Sequence, residues 1–315
     1  MTNSNAVPCG IALPQIFVNE PVDMGLVETF AVRAEALGYD SLWVQERLIG
    51  GTNALEPLTL LSYVAALTNT IRIGTSVLIA TTRNPVHLAK QVGTLDHISR
   101  GRLTLGLALG GRPYQYHLLD GPTHHRIGHF IESLEVMKAL WIQPHVEYNG
   151  RFWNLQGEQM MPHPIQKPHP PIWFGGRHPD ALKRAAQYGD GWMGAGSTTT
   201  AQFREHVPII KQALEANGKN PDLFPISKRV YVALDNDEVR AERRLREWFE
   251  RHYGSADLGS SVSVWGSEAR VAEGLAEVVD AGARMLMINS VFDHMFHLET
   301  LRSSVLPKIH LPSQR

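Results

Sequence analysis

A chain of 315 residues, 43% hydrophobic and 19% charged with a net charge of −1, has an ordinary globular composition, and a single barrel with insertions can reach this length. Near-neutral charge offers no electrostatic basis for nucleic acid or an anionic membrane as partner. No apolar run approaches the ~20 residues of a membrane span, and the start, MTNSNAVPCG, lacks the regions of a secretory signal. The one cysteine, Cys9, cannot form an internal disulfide, so a cytoplasmic protein is expected.

Cys9–Leu13 is a short apolar strand, with Cys9 read as a small core residue. Leu26, Val27, Phe30, Ala34 and Leu37 recur at helical spacing before Gly38. Ser41–Val44 is strand two, Pro57–Leu67 a helix and Ile71–Ile79 strand three. Asn84-Pro85 combines an N-cap with proline at the first helical position, and that helix runs to about Ile98. Leu103–Leu109 is strand four. A histidine- and tyrosine-rich loop, Pro113–His125, precedes an amphipathic helix carrying Phe130, Ile131, Leu134, Met137 and Trp141, and Pro144–Pro171 reads as an insertion.

Pro171–Trp192 is the stretch that organises the rest. Ile172-Trp173-Phe174 is a strand, Gly175-Gly176 a turn without Cβ atoms, Pro179 a helix start, Gly189 a left-handed cap, and Gly191 the start of the next strand. The first turn of such a helix favours a phosphate, although Asp180 is itself placed to neutralise it. Phe203–Asn217 is a helix, Ile226–Leu234 strand seven, Val239–Tyr253 a charged helix, Gly254–Ser263 a mobile loop by composition, Val271–Ala281 a helix and Met285–Asn289 strand eight. A last helix starts near His297.

Eight apolar strands alternating with helices imply parallel strands and right-handed crossovers, hence a (β/α)8 TIM barrel with insertions after strands 4 and 7, one domain over residues 1–315. A doubly wound dinucleotide fold is the alternative, but IFVNEPV follows strand one where a glycine fingerprint belongs. In a barrel, chemistry lies at the C-terminal strand ends, which here carry Gln45, Glu46, Arg47, Ser76, Thr81, Gly111, Arg112, Gly175, Gly176, Arg177 and Asn289.

Four runs carry a resemblance: Gly74–Val77, Thr82–Pro85, Leu95–Arg102 and the glycine-rich Gly106–Gly111. Together with Pro171–Trp192 and Ala281–Ile288, they resemble the bacterial-luciferase-like flavin- and deazaflavin-dependent oxidoreductases, over nearly the whole chain. The resemblance implies a cytoplasmic, commonly dimeric enzyme with coenzyme F420 or FMN across the barrel mouth and a small-molecule substrate. It implies a phosphate at Gly175, Gly176 and Arg177, joined by Gly110 and Arg112, and a non-prolyl cis peptide at Ser76–Val77. With F420 the reaction is hydride transfer. With FMN it is insertion of an oxygen atom, fed by a separate reductase. A barrel that binds flavin without turnover is a lesser alternative. The family's deazaflavin sugar-phosphate dehydrogenases have Asp-His after strand two and Glu after strand four, where this chain has Glu46-Arg47 and Gly111.

Glu46 reads either as a rim ion pair or as a partner of the cofactor ring, and Arg47 as a contact for an anionic substrate group. His117, with His124, His125 and His129 nearby, is a candidate general acid or base. Glu46, Arg47 and His117 are therefore the catalytic candidates. Arg83 is a further possible contact, Arg102 a tie for a helix end, and Trp43, Trp173 and Trp192 are packing residues. His294 and His297 have ligand-like spacing but lack the further ligands of a metal site.

Overall fold

The computed structural model describes residues 6–110 and 113–311. Eight parallel strands close on themselves: β1 (Cys9–Ala12), β2 (Ser41–Val44), β3 (Arg72–Thr75), β4 (Leu103–Ala108), β5 (Ile172–Gly176), β6 (Gly191–Gly194), β7 (Ile226–Leu234) and β8 (Met285–Ser290). β4 pairs β5 through Leu105↔Ile172, and β8 pairs β1 through Leu286↔Cys9, so no edge of the barrel is left open.

Each strand is buried on both faces, which is why it reads as a continuous apolar run. Outward residues such as Ile11, Leu42, Ile73, Leu105 and Phe174 join one core with Val27, Leu61, Leu88, Leu134 and Leu182 of the surrounding helices. Inside the barrel, Trp43, Met193 and Met287 pack with Val77 and Trp173, and the two indoles lie 5.7 Å apart. Trp43 fits because the strands facing it carry Gly10 and Gly74, where a Cβ would collide with its ring.

The outer helices are α1 (Met24–Ala36), α2 (Pro57–Leu67), α3 (Pro85–Ile98), α4 (Arg126–Ile142), α5 (Pro179–Tyr188), α6 (Thr200–Ala216), α7 (Glu238–Tyr253), α8 (Ala256–Val262), α9 (Glu268–Asp280) and α10 (His294–Thr300). Asn84 caps α3 through the amides of Val86 and His87, and Gly38 follows α1 with φ +73°. Arg102 ties the ends of α2 and α3. Its guanidinium donates to the carbonyls of Ser99, Ile71, Ala65 and Thr68 and to the Thr68 hydroxyl, at 2.7–2.9 Å.

Both insertions are present. Between β4 and β5, α4 is followed by a hairpin of Val146–Asn149 and Asn154–Glu158, then by a proline-rich segment in which Gln166 bonds Asp96 and Leu103. After β7 come α7, α8 and a strand, Ser263–Gly266, that pairs β7. Gly254–Ser263 is thus no loop. Gly254 caps α7 at φ +69°, and Ala256–Val262 is helical. Gly259 lets this turn lie against α7, where an added Cβ would stand 3.1 Å from the Leu245 carbonyl. Gly189 also departs from expectation. Its φ is −97°, and glycine is required by space, since a Cβ would stand 2.7 Å from Phe174. Strand three breaks at a cis Ser76–Val77 peptide, and Leu78–Ile79 resumes pairing with β4. Cys9 is buried, which raises its thiol pKa far above the usual range.

Candidate active site

A cavity of about 730 Å³ opens at the C-terminal ends of the strands. Its wall draws on Gln45–Ile49 after β2, Ser76 and Val77 after β3, Leu109 and Gly110 after β4, Gly175–His178 after β5, Gly194–Ser197 after β6, Arg229 of β7, and the end of α7.

The β5–β6 side is a cradle. The turn Gly175–His178 leads into α5, with His178 as N-cap and Pro179 next. A Cβ on Gly175 would stand 2.7 Å from Val77, and one on Gly176 would stand 2.8 Å from Ala181 Cβ, so backbone alone fits here. Trp192 Nε1 donates to the Gly176 carbonyl at 3.0 Å and holds that group away from the cavity. Arg177 and Arg184 add positive charge. Asp180 does not compete for this site. It is exposed, stands outside the wall, and faces Lys183 and His178.

The β6 loop is braced from behind. Lys228, 2% exposed, points outward from β7 and donates to the carbonyls of Ala195 at 2.5 Å, Thr198 at 2.9 Å and Arg229 at 3.0 Å. Burial, with the Arg229 charge adding to it, pushes its pKa down to about 7. Its other neighbour, Arg229, is half-buried in the floor of the cavity. One guanidinium nitrogen donates to Ser76 O at 3.2 Å and another to Gln45 Oε1 at 2.7 Å. Sequence reading missed both residues because they interrupt an otherwise apolar strand. That interruption was the available signal, since lysine and arginine are rarely buried without a task.

Beneath the floor lies a chamber of about 20 Å³, the size of one water, lined by Gln15, Gln45, Ser76, Arg229, Asn289 and His294. Burial pushes the His294 pKa down to about 4.

The expected site residues divide. Ser76, Val77, Gly110, Gly175, Gly176 and Arg177 all line the cavity, and Gly110 is held there by Arg126, which donates to its carbonyl at 2.7 Å. Gly111 and Arg112 lie outside the described residues. Glu46 is engaged by protein groups. Its side chain is fully buried, it pairs with Arg83, and it accepts from Ile79 N at 2.5 Å. Burial outweighs the pull of Arg83 and raises its pKa. Arg83 is spent in the same way, on Glu46 and, at 3.0 Å, on Glu56. Arg47 lines the cavity, but its guanidinium donates to the His252 carbonyl at 2.6 Å and so ties the end of α7 to β2. His117 is exposed and stands outside the wall, with its neighbour Tyr116 facing in. His124 and His125 are exposed as well, and His129 packs against Phe152 and Trp153. No cluster of His, Cys, Asp or Glu among the described residues is arranged to hold a metal.

The family model described as luciferase-like monooxygenase matches residues 18–285. The F420-dependent glucose-6-phosphate dehydrogenase of Kineococcus radiotolerans is 29% identical over 233 residues, 71% of this chain and 68% of that one. The oxygenase component of the flavin-dependent trigonelline monooxygenase of Acinetobacter baylyi is 31% identical over 159 residues, 50% of this chain and 44% of that one. Among solved structures, an F420-dependent secondary alcohol dehydrogenase in complex with an F420-acetone adduct superposes with a TM-score of 0.84. The overlap covers 96% of this chain and 99% of that one at 19% identity, a likeness of fold.

Proposed function

The chain belongs to the luciferase-like monooxygenase family, and on that premise we propose that it is an oxidoreductase using a deazaflavin, coenzyme F420, for hydride transfer with a small organic substrate. The observation that carries this reading is the cavity at the barrel mouth. One side is a cradle where any Cβ collides, flanked by two arginines, and the floor beside it is the Ser76–Val77 segment. Such a site suits a flat ring with an anionic tail. The coenzyme is preferred to FMN because the F420-dependent relative matches over 71% of the chain and the flavin-dependent one over 50%. An FMN monooxygenase fed by a separate reductase is the second reading, favoured by that flavin-dependent relative.

The bound group supplies hydride chemistry at its ring. The protein supplies the rest. Gly175, Gly176 and Gly194–Ser197 receive the phosphate against backbone, with Arg177 and Arg184 completing its charge. Gly110 borders the same site. Val77 and Ser76 would contact the ring, and Arg229 fixes the Ser76 carbonyl. Arg47 holds α7 over the mouth, and Tyr253 and His252 of α7 close it against water. Glu46 and Arg83 hold the Leu78–Ile79 segment in register and take no proton. We further propose one domain over residues 1–315, a homodimer and a cytoplasmic location. Among the described residues no helix is long and apolar enough to cross a membrane.

The test is a fluorescence titration with F420 and FMN, each oxidised and reduced. Tighter binding of F420 is expected. Preference for reduced FMN moves the protein to the oxygenase reading, and binding of neither overturns both.

A further inference from the structure

The chain as a whole is nearly neutral, yet its cavity is not. The charged side chains in the described wall are four arginines, Arg47, Arg177, Arg184 and Arg229, and one carboxylate, Glu46, whose charge is already matched by Arg83. Two of the arginines, Arg177 and Arg184, flank the glycine cradle. The other two stand at a different corner, between β2, β7 and the end of α7.

Arg229 is the informative member of this second pair. It is half-buried, and no carboxylate of the described residues lies within 4.0 Å of it. Two of its five N–H donors are used, on Ser76 O and Gln45 Oε1, and its guanidinium stacks 5.1 Å from the Tyr231 ring. These contacts fix the group in place without neutralising it. A cation held in a partly dry site, with donors to spare, is a receptor for an anion. The same corner offers apolar surface. Leu48 and Ile49, 38% and 42% exposed, and Tyr253 line the mouth beside it.

We propose that Arg229 is the substrate-recognition residue, and that the substrate is a small organic oxyanion with an apolar body. The oxyanion pairs with Arg229 on the floor, and the body lies against Tyr253, Leu48 and Ile49. The anion is thereby held next to Ser76–Val77, where the ring is expected, so this inference names the substrate class of the site proposed above and rests on that reading.

The test compares benzoate, benzenesulfonate and phenyl phosphate with neutral benzamide, by calorimetry, with and without cofactor. At least one oxyanion is expected to bind about tenfold or more tightly than benzamide, with a preference that weakens as salt rises. Arg229→Met removes the preference and Arg229→Lys keeps part of it, each read as the ratio of oxyanion to benzamide affinity within the same variant. Arg229→Gln repeats the measurement if the Met variant does not fold. Equal binding of oxyanion and amide by the wild type, or a preference that survives Arg229→Met, overturns the proposal. So does a variant that loses cofactor affinity and keeps benzoate, since Arg229 would then serve the ring. A wild type that binds neither F420 nor FMN yet discriminates oxyanion from amide refutes the cofactor reading and leaves this one standing. Which of the three anions binds best separates carboxylate, sulfonate and phosphate substrates.

Discussion

Glu46→Gln separates a structural carboxylate from a catalytic one. The substitution keeps the size and an acceptor for Ile79 N but removes the charge opposite Arg83. Breaking a fully buried ion pair costs ~3–5 kcal/mol when a charge is left alone. Arg83 is not left alone, since Glu56 stays 3.0 Å away with its side chain 38% exposed. The expected loss is therefore nearer ~2–3 kcal/mol. Urea denaturation of the wild type, Glu46→Gln, Arg83→Met and the double variant reads it directly, and the two sites should couple by ~1–3 kcal/mol. Consumption of reduced cofactor should fall less than about tenfold, where loss of a general acid or base would cost ~10²–10⁴-fold. The reasoning is refuted by unchanged stability with no coupling, or by an intact fold with turnover reduced a hundredfold or more.

Gly176→Asp should abolish cofactor binding, because its Cβ starts 2.8 Å from Ala181 Cβ and its carboxylate enters the cradle; titration with FMN and F420 reads this, and unchanged affinity places the phosphate elsewhere. Acid should destabilise the fold through His294. Its folded pKa, about 4, lies below the ordinary 6.5, so the unfolded state binds the extra proton between those values. Stability is then lost as pH falls from 6.5 towards 4, by up to ~3 kcal/mol, and His294→Gln should flatten that limb in urea melts. Arg102→Lys should cost ~2–4 kcal/mol in the same assay, because one ammonium cannot reach the acceptors on α2 and α3 that the planar fork bridges; a loss under ~1 kcal/mol would show those bonds to be replaceable by water.

The barrel was legible because its strands are buried on both faces and its helices carry their own punctuation, as at Asn84-Pro85 and Gly38. The cradle was legible for a related reason: a position where no Cβ fits leaves glycine in the sequence. Charged side chains were harder to read, because a sequence gives their type and not their partners. Glu46 and Arg47 both sit at the end of β2, yet one faces Arg83 and the other the end of α7. His117 lies exposed outside the wall while its neighbour Tyr116 lines it, a difference of one position that residue type alone does not reveal. Gly254–Ser263 was misread because composition argued for a loop while Gly259 was serving close packing. Lys228 and Arg229, adjacent on β7, point to opposite sides of the sheet, and the period of two should have flagged both.

Closure of the barrel has a consequence for how the protein is made. β1 is hydrogen-bonded to both β2 and β8, so the first barrel strand waits for the eighth before its second edge is covered. Until Met285–Ser290 leaves the ribosome, β1 and β7 each present an unpaired row of amides and carbonyls, the kind of edge that recruits stray strands. Seven of the eight barrel strands are thus built before the sheet is sealed. Chaperone demand and losses to aggregation should therefore concentrate in the interval before β8 is available to pair, and chains stopped upstream of β8 should yield insoluble fragments.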